Sequence, residues 1–129
     1  MWKIVFYRKD SLEEPVRNFI VNLPTKERAK VAQEIENIRS EGIYLGLPFV
    51  KKLAGREYKG LWELRVRFGS DYIRIIYFLH TEKTFVLLHG FKKKTNRTPK
   101  RELETAKGRM IEYKNKKEIS KEDYGMGRI

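Results

Sequence analysis

Charged side chains alternate with apolar ones in one strand-like segment of the chain. In Leu61–Phe68, Trp62 and its alternate neighbours point one way, so Glu63, Arg65 and Arg67 share the opposite face. Guanidinium groups make bidentate contacts with phosphate oxygens, and a carboxylate beside them can exchange a proton. This row could therefore act on a phosphate ester. The alternative is a cross-strand set of ion pairs that contributes little.

Further candidate groups lie in the next two apolar segments. Arg74 sits among apolar neighbours in residues 72–79, where a charge is costly unless it has a partner or a task. His89 ends the segment of residues 84–91, and Lys92, Lys93 and Lys94 follow it. Each has a structural alternative. Arg74 could extend to the sheet edge, His89 could be a structural histidine, and the three lysines could form a solvated basic turn.

The elements that must position these groups are three consecutive strands. Turn-forming residues at 69–71 and 81–83 separate the three segments, which predicts two hairpins and an antiparallel meander. Such a meander would bring Arg65, Arg74 and the end of the third strand together on one face. The cations would then converge although they are far apart in sequence.

Strand and helix signals flank this meander. Residues 2–7 predict a first strand, and Ser11 with Glu14 has capping-box spacing before a helix that holds Pro15. Thr25 can cap a second helix that stops near Gly42, and a third helix is expected from Pro99. We predict an α+β fold in which the helical hairpin covers one sheet face and leaves the other free. Residues 1–115 would form one domain and residues 116–129 a charged tail, flexible or ordered by a partner.

Composition favours a nucleic-acid partner. The 129 residues include 29 Lys and Arg against 17 Asp and Glu, a formal net charge of +12. A merely soluble basic surface is the alternative. The absence of cysteine fits a reducing compartment, and no leader or membrane-spanning segment is evident, so we expect a cytoplasmic protein without membrane contact.

Cofactor and metal chemistry find little support in the sequence. The glycines are scattered singly, so a phosphate-binding loop is not expected, and His80 and His89 lack the spacing of a zinc site. No acidic cluster resembles a two-metal nuclease site. We therefore expect no cofactor and no metal. RNA cleavage would then proceed by attack of the 2′-hydroxyl on the adjacent phosphorus, with fixed cations where negative charge develops.

Several short motifs, in this order, resemble the phage-derived, HigB-like branch of the RelE/ParE toxin superfamily. They are Lys52-Leu53, Leu61-Trp62-Glu63-Leu64-Arg65, Tyr72 with Arg74 and Tyr77, Leu87-Leu88-His89-Gly90-Phe91-Lys92-Lys93-Lys94-Thr95, Pro99, and then Glu102, Ala106 and Arg109. The resemblance covers residues 2–113. It implies a RelE-like fold, similar to small microbial ribonucleases, with helices packed on a twisted antiparallel sheet.

The resemblance also implies a function. Such toxins of type II toxin–antitoxin systems enter the ribosome and cleave mRNA as endoribonucleases, which inhibits translation. A helix-turn-helix antitoxin neutralises them, and operator DNA is reached only through that antitoxin. By matched position, Arg65, Lys93 and Lys94 would be catalytic, with Glu63 and His89 as candidates for proton transfer. Lys52, Arg67, Arg74 and Lys92 would bind RNA.

Two other functions stay open at the level of sequence. The same superfamily contains ParE-like gyrase inhibitors, which are not nucleases, but a basic cluster on one sheet face favours RNA. A non-catalytic basic nucleic-acid-binding module would need exposed aromatic side chains between the charges. Tyr72 and Phe91 are the candidates for that purpose.

Overall fold

The computed structural model describes the backbone of residues 1–127 and the side chains of residues 1–116. Its elements are β1 (Lys3–Phe6), α1 (Pro15–Val21), α2 (Thr25–Glu41), β2 (Val50–Lys52), β3 (Leu61–Phe68), β4 (Asp71–Thr81), β5 (Thr84–Lys93) and α3 (Lys100–Gly127). Short 3-10 turns span Gly42–Tyr44 and Arg56–Tyr58. The α+β class and the RelE-like order of elements are confirmed. The predicted tail, residues 116–129, lies almost entirely outside the described side chains, so its role stays a prediction.

The sheet has five strands in the order β1-β5-β4-β3-β2. The predicted meander is confirmed, since β3, β4 and β5 pair antiparallel in sequence order. The short strand β2 adds to β3, also antiparallel. One pairing differs from the predicted antiparallel sheet: β1 lies parallel to β5. Most of the chain separates these two strands, and such a long connection allows a parallel return.

One face of the sheet is covered by the helical hairpin. The core there is formed by buried side chains of α1, α2 and the strands: Val16, Leu23, Val31, Ile35, Ile38, Val50, Leu64, Val66, Ile73, Ile75, Tyr77, Phe85 and Leu87. The predicted capping box is wrong, because α1 begins at Pro15 with Glu14 at its N-cap and no side-chain cap bond. The predicted end of α2 is correct, and its C-cap is Gly42.

Gly42 is required at that helix end for two reasons. Its φ of +57° lies in the left-handed region, which side chains with a Cβ rarely adopt. A Cβ atom there would also lie 1.9 Å from the Trp2 ring. The glycine thus lets the start of the chain pack against the end of α2.

The prediction that the opposite face of the sheet stays free is wrong, because α3 covers half of that face. Helix α3 lays its apolar stripe, including Ala106 and Met110, on Ile76, Phe78 and Val86 of that face. A stripe this apolar needs a partner, and the sheet supplies it. Within residues 1–116, the charged side chains that β3 places on this face lie at its other end. Within the described residues, none of the helices combines the length and apolar character needed to cross a bilayer.

Candidate active site

The register of the meander places the candidate cations in adjacent rows on the face that α3 leaves open. Arg65 pairs with Arg74, and Arg74 pairs in turn with Phe91. In the next row Tyr72 stands between Arg67 of β3 and Lys93 of β5. Residues directly opposite one another in antiparallel strands project to the same side. The predicted convergence of Arg65, Arg74 and the end of β5 is therefore confirmed.

Glu63 is the buried anion beneath these cations. Its side chain is almost inaccessible, and Oε1 lies 3.3 Å from Arg74 Nε and 3.9 Å from Arg65 Nε. Its other oxygen, Oε2, accepts a hydrogen bond of 2.5 Å from Thr98 Oγ1. A buried carboxylate with both oxygens engaged holds its neighbours in place. Glu63 thus fixes two guanidinium groups and one loop residue.

Asn96 joins the two arginines from the solvent side. Its Oδ1 accepts hydrogen bonds from Arg65 Nη2 at 2.8 Å and from Arg74 Nη2 at 2.6 Å. Asn96 itself is exposed, whereas Arg74 beneath it is 2% exposed. Burial lowers the pKa of Arg74, opposed by Glu63 and assisted by the Arg65 charge. Asn96 was not predicted as a site residue, because an isolated asparagine in a basic turn forms no sequence pattern that indicates a function.

Lys93 completes the cluster from β5. Its Nζ donates to the Asn96 carbonyl oxygen at 3.1 Å and to Thr98 Oγ1 at 3.0 Å. Burial, reinforced by the Arg74 and Arg65 charges against the opposing attraction of Glu63, lowers the pKa of Lys93 to about 8. A lysine with a pKa close to neutral can exchange a proton under physiological conditions. Chemically, Lys93 is the best placed acid–base group of the cluster.

His89 belongs to a separate group at the start of α3. Its Nε2 lies 2.9 Å from Glu102 Oε2, and Arg109 Nη1 lies 3.1 Å from its Nδ1. Because Arg109 can only donate, Nδ1 accepts and the ring proton belongs on Nε2. Burial lowers the pKa of His89, against the opposing effect of Glu102. Both ring nitrogens are thus engaged inside the protein, and the ring stacks on Phe91.

Three predicted site lysines are not brought to the cluster. Lys92 lies on the helix-covered side, where its Nζ is 2.7 Å from Glu27 Oε1 and 3.3 Å from Asp71 Oδ2. Lys94 is exposed and is hydrogen-bonded to Asp71. Lys52 pairs in register with Trp62, also on the helix-covered side. For Lys92 and Lys52 the reason is strand alternation, because each is one residue away from a side chain on the face of the cluster. Lys94 lies beyond the end of β5.

Lys51, the residue before Lys52, occupies the position beside the cluster that was predicted for Lys52. Lys51 pairs in register with Glu63 and lines a cleft of about 420 Å³ together with Arg65, Asn96 and Arg97. The strand β2 has only three residues, so its alternation could not be read from the sequence alone. Lys51 is thus a candidate that sequence reasoning missed.

A second cleft lies on the other side of the Arg65–Asn96 contact. It measures about 260 Å³ and is lined by Arg65, Arg67, Tyr72, Arg74, Asn96 and Pro48. The guanidinium carbons of Arg67 and Arg74 lie 5.0 and 5.2 Å from the centre of the half-buried Tyr72 ring. The two clefts together form a basic surface with one tyrosine ring in each, Tyr58 and Tyr72, and Asn96 lies between them.

A family model described as Phage derived protein Gp49-like (DUF891) matches residues 18–111, which span the helical hairpin, the meander and the start of α3. No curated protein matches the chain. In the described part of the chain, His, Asp and Glu side chains do not gather in a group of three or more that could hold a metal ion. The chain belongs to the phage-derived Gp49-like family, which is associated with toxin–antitoxin toxins of the RelE/HigB type and implies an antitoxin partner.

Proposed function

We propose that this chain is the toxin of a type II toxin–antitoxin pair and a metal-independent endoribonuclease that cleaves mRNA on the ribosome. One observation carries the proposal: Arg65, Arg74 and Lys93 all donate hydrogen bonds to Asn96 at one point of the sheet face. Three cations gathered around the oxygens of one residue suit the charge of a phosphate. The family association and the net charge of +12 support the same function.

The reaction that this arrangement suits is attack within the RNA chain. The 2′-oxygen forms a bond to the adjacent phosphorus and gives up its proton to water, and the bond from phosphorus to the 5′-oxygen breaks. The products are a 2′,3′-cyclic phosphate and a 5′-hydroxyl, which takes up a proton. Arg65 and Arg74 would stabilise the additional negative charge on the phosphorane oxygens.

Lys93 is the residue that we assign to proton donation. Its ammonium group makes two hydrogen bonds to the loop, which leaves the third N–H available for the 5′-oxygen. A donor with a pKa of about 8 is largely protonated at neutral pH and still gives up its proton readily. The lysine therefore combines charge stabilisation with acid catalysis.

Glu63 and His89 take positioning parts in this proposal, in place of the proton transfer suggested by the resemblance. Both carboxylate oxygens of Glu63 are engaged, with Thr98 and with the two arginines. Both ring nitrogens of His89 are engaged as well, with Glu102 and with Arg109. Proton exchange with RNA would require either residue to break contacts that hold the site together.

RNA binding is assigned to the two clefts. Lys51 and Arg97 on one side and Arg67 on the other would contact successive phosphates, and Tyr72 would stack on a base. Lys52, Lys92 and Lys94 are left out of this path because of their position. Their charge contributes only to the general attraction of RNA.

The test is expression of the chain alone, with mRNA integrity, protein synthesis and plasmid supercoiling followed over time. We expect mRNA to be cut at ribosome-bound positions and translation to stop, and the new 3′ ends should carry the 2′,3′-cyclic phosphate that attack by the 2′-hydroxyl produces. Arg65→Ala should relieve growth arrest, and co-expression of the helix-turn-helix antitoxin should do the same. Loss of supercoiling before any mRNA is cut would instead establish a gyrase inhibitor. RNA binding without cleavage would establish a non-catalytic module.

A further inference from the structure

One loop of the protein, residues 94–99, binds the three cations of the site: Arg65, Arg74 and Lys93. Asn96 supplies two of the acceptors: Oδ1 for both arginines and the backbone carbonyl oxygen for Lys93. Thr98 supplies a third through its hydroxyl oxygen, at 3.0 Å from Lys93 Nζ. The loop thus presents a compact set of oxygens to the cations, as a phosphate group would.

The Asn96 side-chain oxygen is a weak occupant of a strongly cationic position. It is a neutral acceptor shared by two guanidinium groups, at 2.8 and 2.6 Å. A phosphate oxygen at the same point would add the attraction between opposite charges, which the neutral amide oxygen lacks. Because Asn96 is exposed, its side chain can turn towards solvent without opening the core. Exchange of the amide for a phosphate is therefore favourable.

The position of Asn96 between the clefts supports the same exchange. Among the side chains that the structure describes, Arg65 and Asn96 are the two that line both clefts. An RNA strand that follows the basic surface from one cleft to the other has to pass over this contact. Removal of the Asn96 side chain would join the clefts and expose both arginines to the strand.

We infer that Asn96 Oδ1 marks the subsite of a non-bridging phosphate oxygen and that RNA must displace Asn96 to engage Arg65 and Arg74. This inference rests on that part of the proposed function in which this face binds RNA phosphates. It goes further because the 94–99 loop then competes with RNA for Arg65 and Arg74. Binding is then limited by a contact that the protein makes with itself.

The experiment measures affinity for a mixed-sequence 2′-O-methyl RNA oligonucleotide, whose blocked 2′-oxygen prevents cleavage. Asn96→Ala removes the competing acceptor and should tighten binding by roughly tenfold, the equivalent of about one charge-assisted hydrogen bond. Asn96→Asp places a permanent anion on both arginines and should weaken binding by at least as much. Asn37→Ala in α2, on the other side of the sheet, is the control. It replaces a half-buried asparagine whose side chain bonds to Gln33 of the same helix, and the variant should bind RNA as the unaltered chain does.

A second measurement follows the arginine side chains directly. Titration with inorganic phosphate, monitored by the NMR signals of the Arg65 and Arg74 Nε–H groups, should show saturation at lower phosphate concentration in Asn96→Ala. Unchanged or weaker oligonucleotide binding by Asn96→Ala would overturn the inference and make Asn96 a positioning residue for the arginines. Cleavage of mRNA on translating ribosomes is measured in parallel. If the unaltered chain cuts no mRNA but Asn96→Ala binds the oligonucleotide more tightly, the nuclease alone is refuted. If the unaltered chain cuts mRNA but Asn96→Ala binds no more tightly, the inference alone is refuted.

Discussion

Arg74 and Glu63 form an ion pair in which both partners are almost fully removed from solvent. Arg74 Nε lies 3.3 Å from Glu63 Oε1, and the two side chains are 2% and 4% exposed. Buried pairs of this kind often add little net stability, but the loss of one partner leaves an uncompensated charge in the interior. The pair therefore matters for keeping Arg74 in the site.

The first prediction concerns that buried charge. Glu63→Ala leaves the Arg74 guanidinium without its anion and should lower the free energy of unfolding by about 3–5 kcal/mol. Urea denaturation measures the effect. Glu36→Ala removes the carboxylate of a solvent-accessible pair with Arg39 and should cost no more than about 1 kcal/mol. Equal midpoints for the two variants would show that the buried pair is dispensable.

A second prediction separates catalytic cations from bystanders. Arg65→Ala removes a contact to the developing phosphorane charge and should lower the rate of RNA cleavage about a hundredfold or more. Lys94→Ala removes a cation close in sequence to Lys93, but Lys94 is bound to Asp71 and exposed. Its rate should change by less than about threefold, as for a surface ion pair. Similar losses in both variants would argue that only overall charge matters.

The third prediction is a pH dependence set by Lys93. Its pKa is lowered to about 8, chiefly by burial, so the protonated acid is abundant below this pH and is lost above it. Cleavage should therefore fall as the pH rises through about 8. Lys93→Arg retains the charge but no longer titrates in this range, so its lower activity should lack that fall. A wild-type rate that increases through pH 8 would reverse the assignment and make Lys93 a base.

Neighbouring lysines in β2 provide the fourth prediction. Lys51 lines the cleft beside Arg65, whereas Lys52 lies on the helix-covered face. Lys51→Ala should weaken RNA binding and reduce the slope of log K against log salt by about one, the value for one lost phosphate contact. Lys52→Ala should leave that slope unchanged. The reverse result would place the RNA path on the other face of the sheet.

The fifth prediction tests how closely α1 packs on the sheet. A Cβ atom at Gly90 would lie 2.5 Å from Phe19 Cδ2, so Gly90→Ala should destabilise the protein by about 1–3 kcal/mol. Gly108 lies in α3 with open space around it. Gly108→Ala should instead stabilise the protein by about 0.5–1 kcal/mol. Thermal unfolding compares the two, and a neutral Gly90→Ala would mean that α1 moves aside at little cost.

The sequence by itself determined the class of fold and the strand that carries the chemistry. Alternation over eight residues of β3 is long enough to assign its two faces, so Glu63 and Arg65 could be placed together from the sequence alone. The third helix and its apolar stripe were likewise evident from their spacing. Local patterns of this length are set by the chain itself.

Only the tertiary structure decided which lysines join the site and what holds them. In β2 and at the end of β5, a shift of one residue moves a side chain to the other face. Lys51 rather than Lys52, and Lys93 rather than Lys92, therefore lie on the face of the site. The contact of Asn96 with both arginines spans 22 and 31 positions of the chain. Register and long-range contacts depend on how distant segments pack, and no local pattern records that packing.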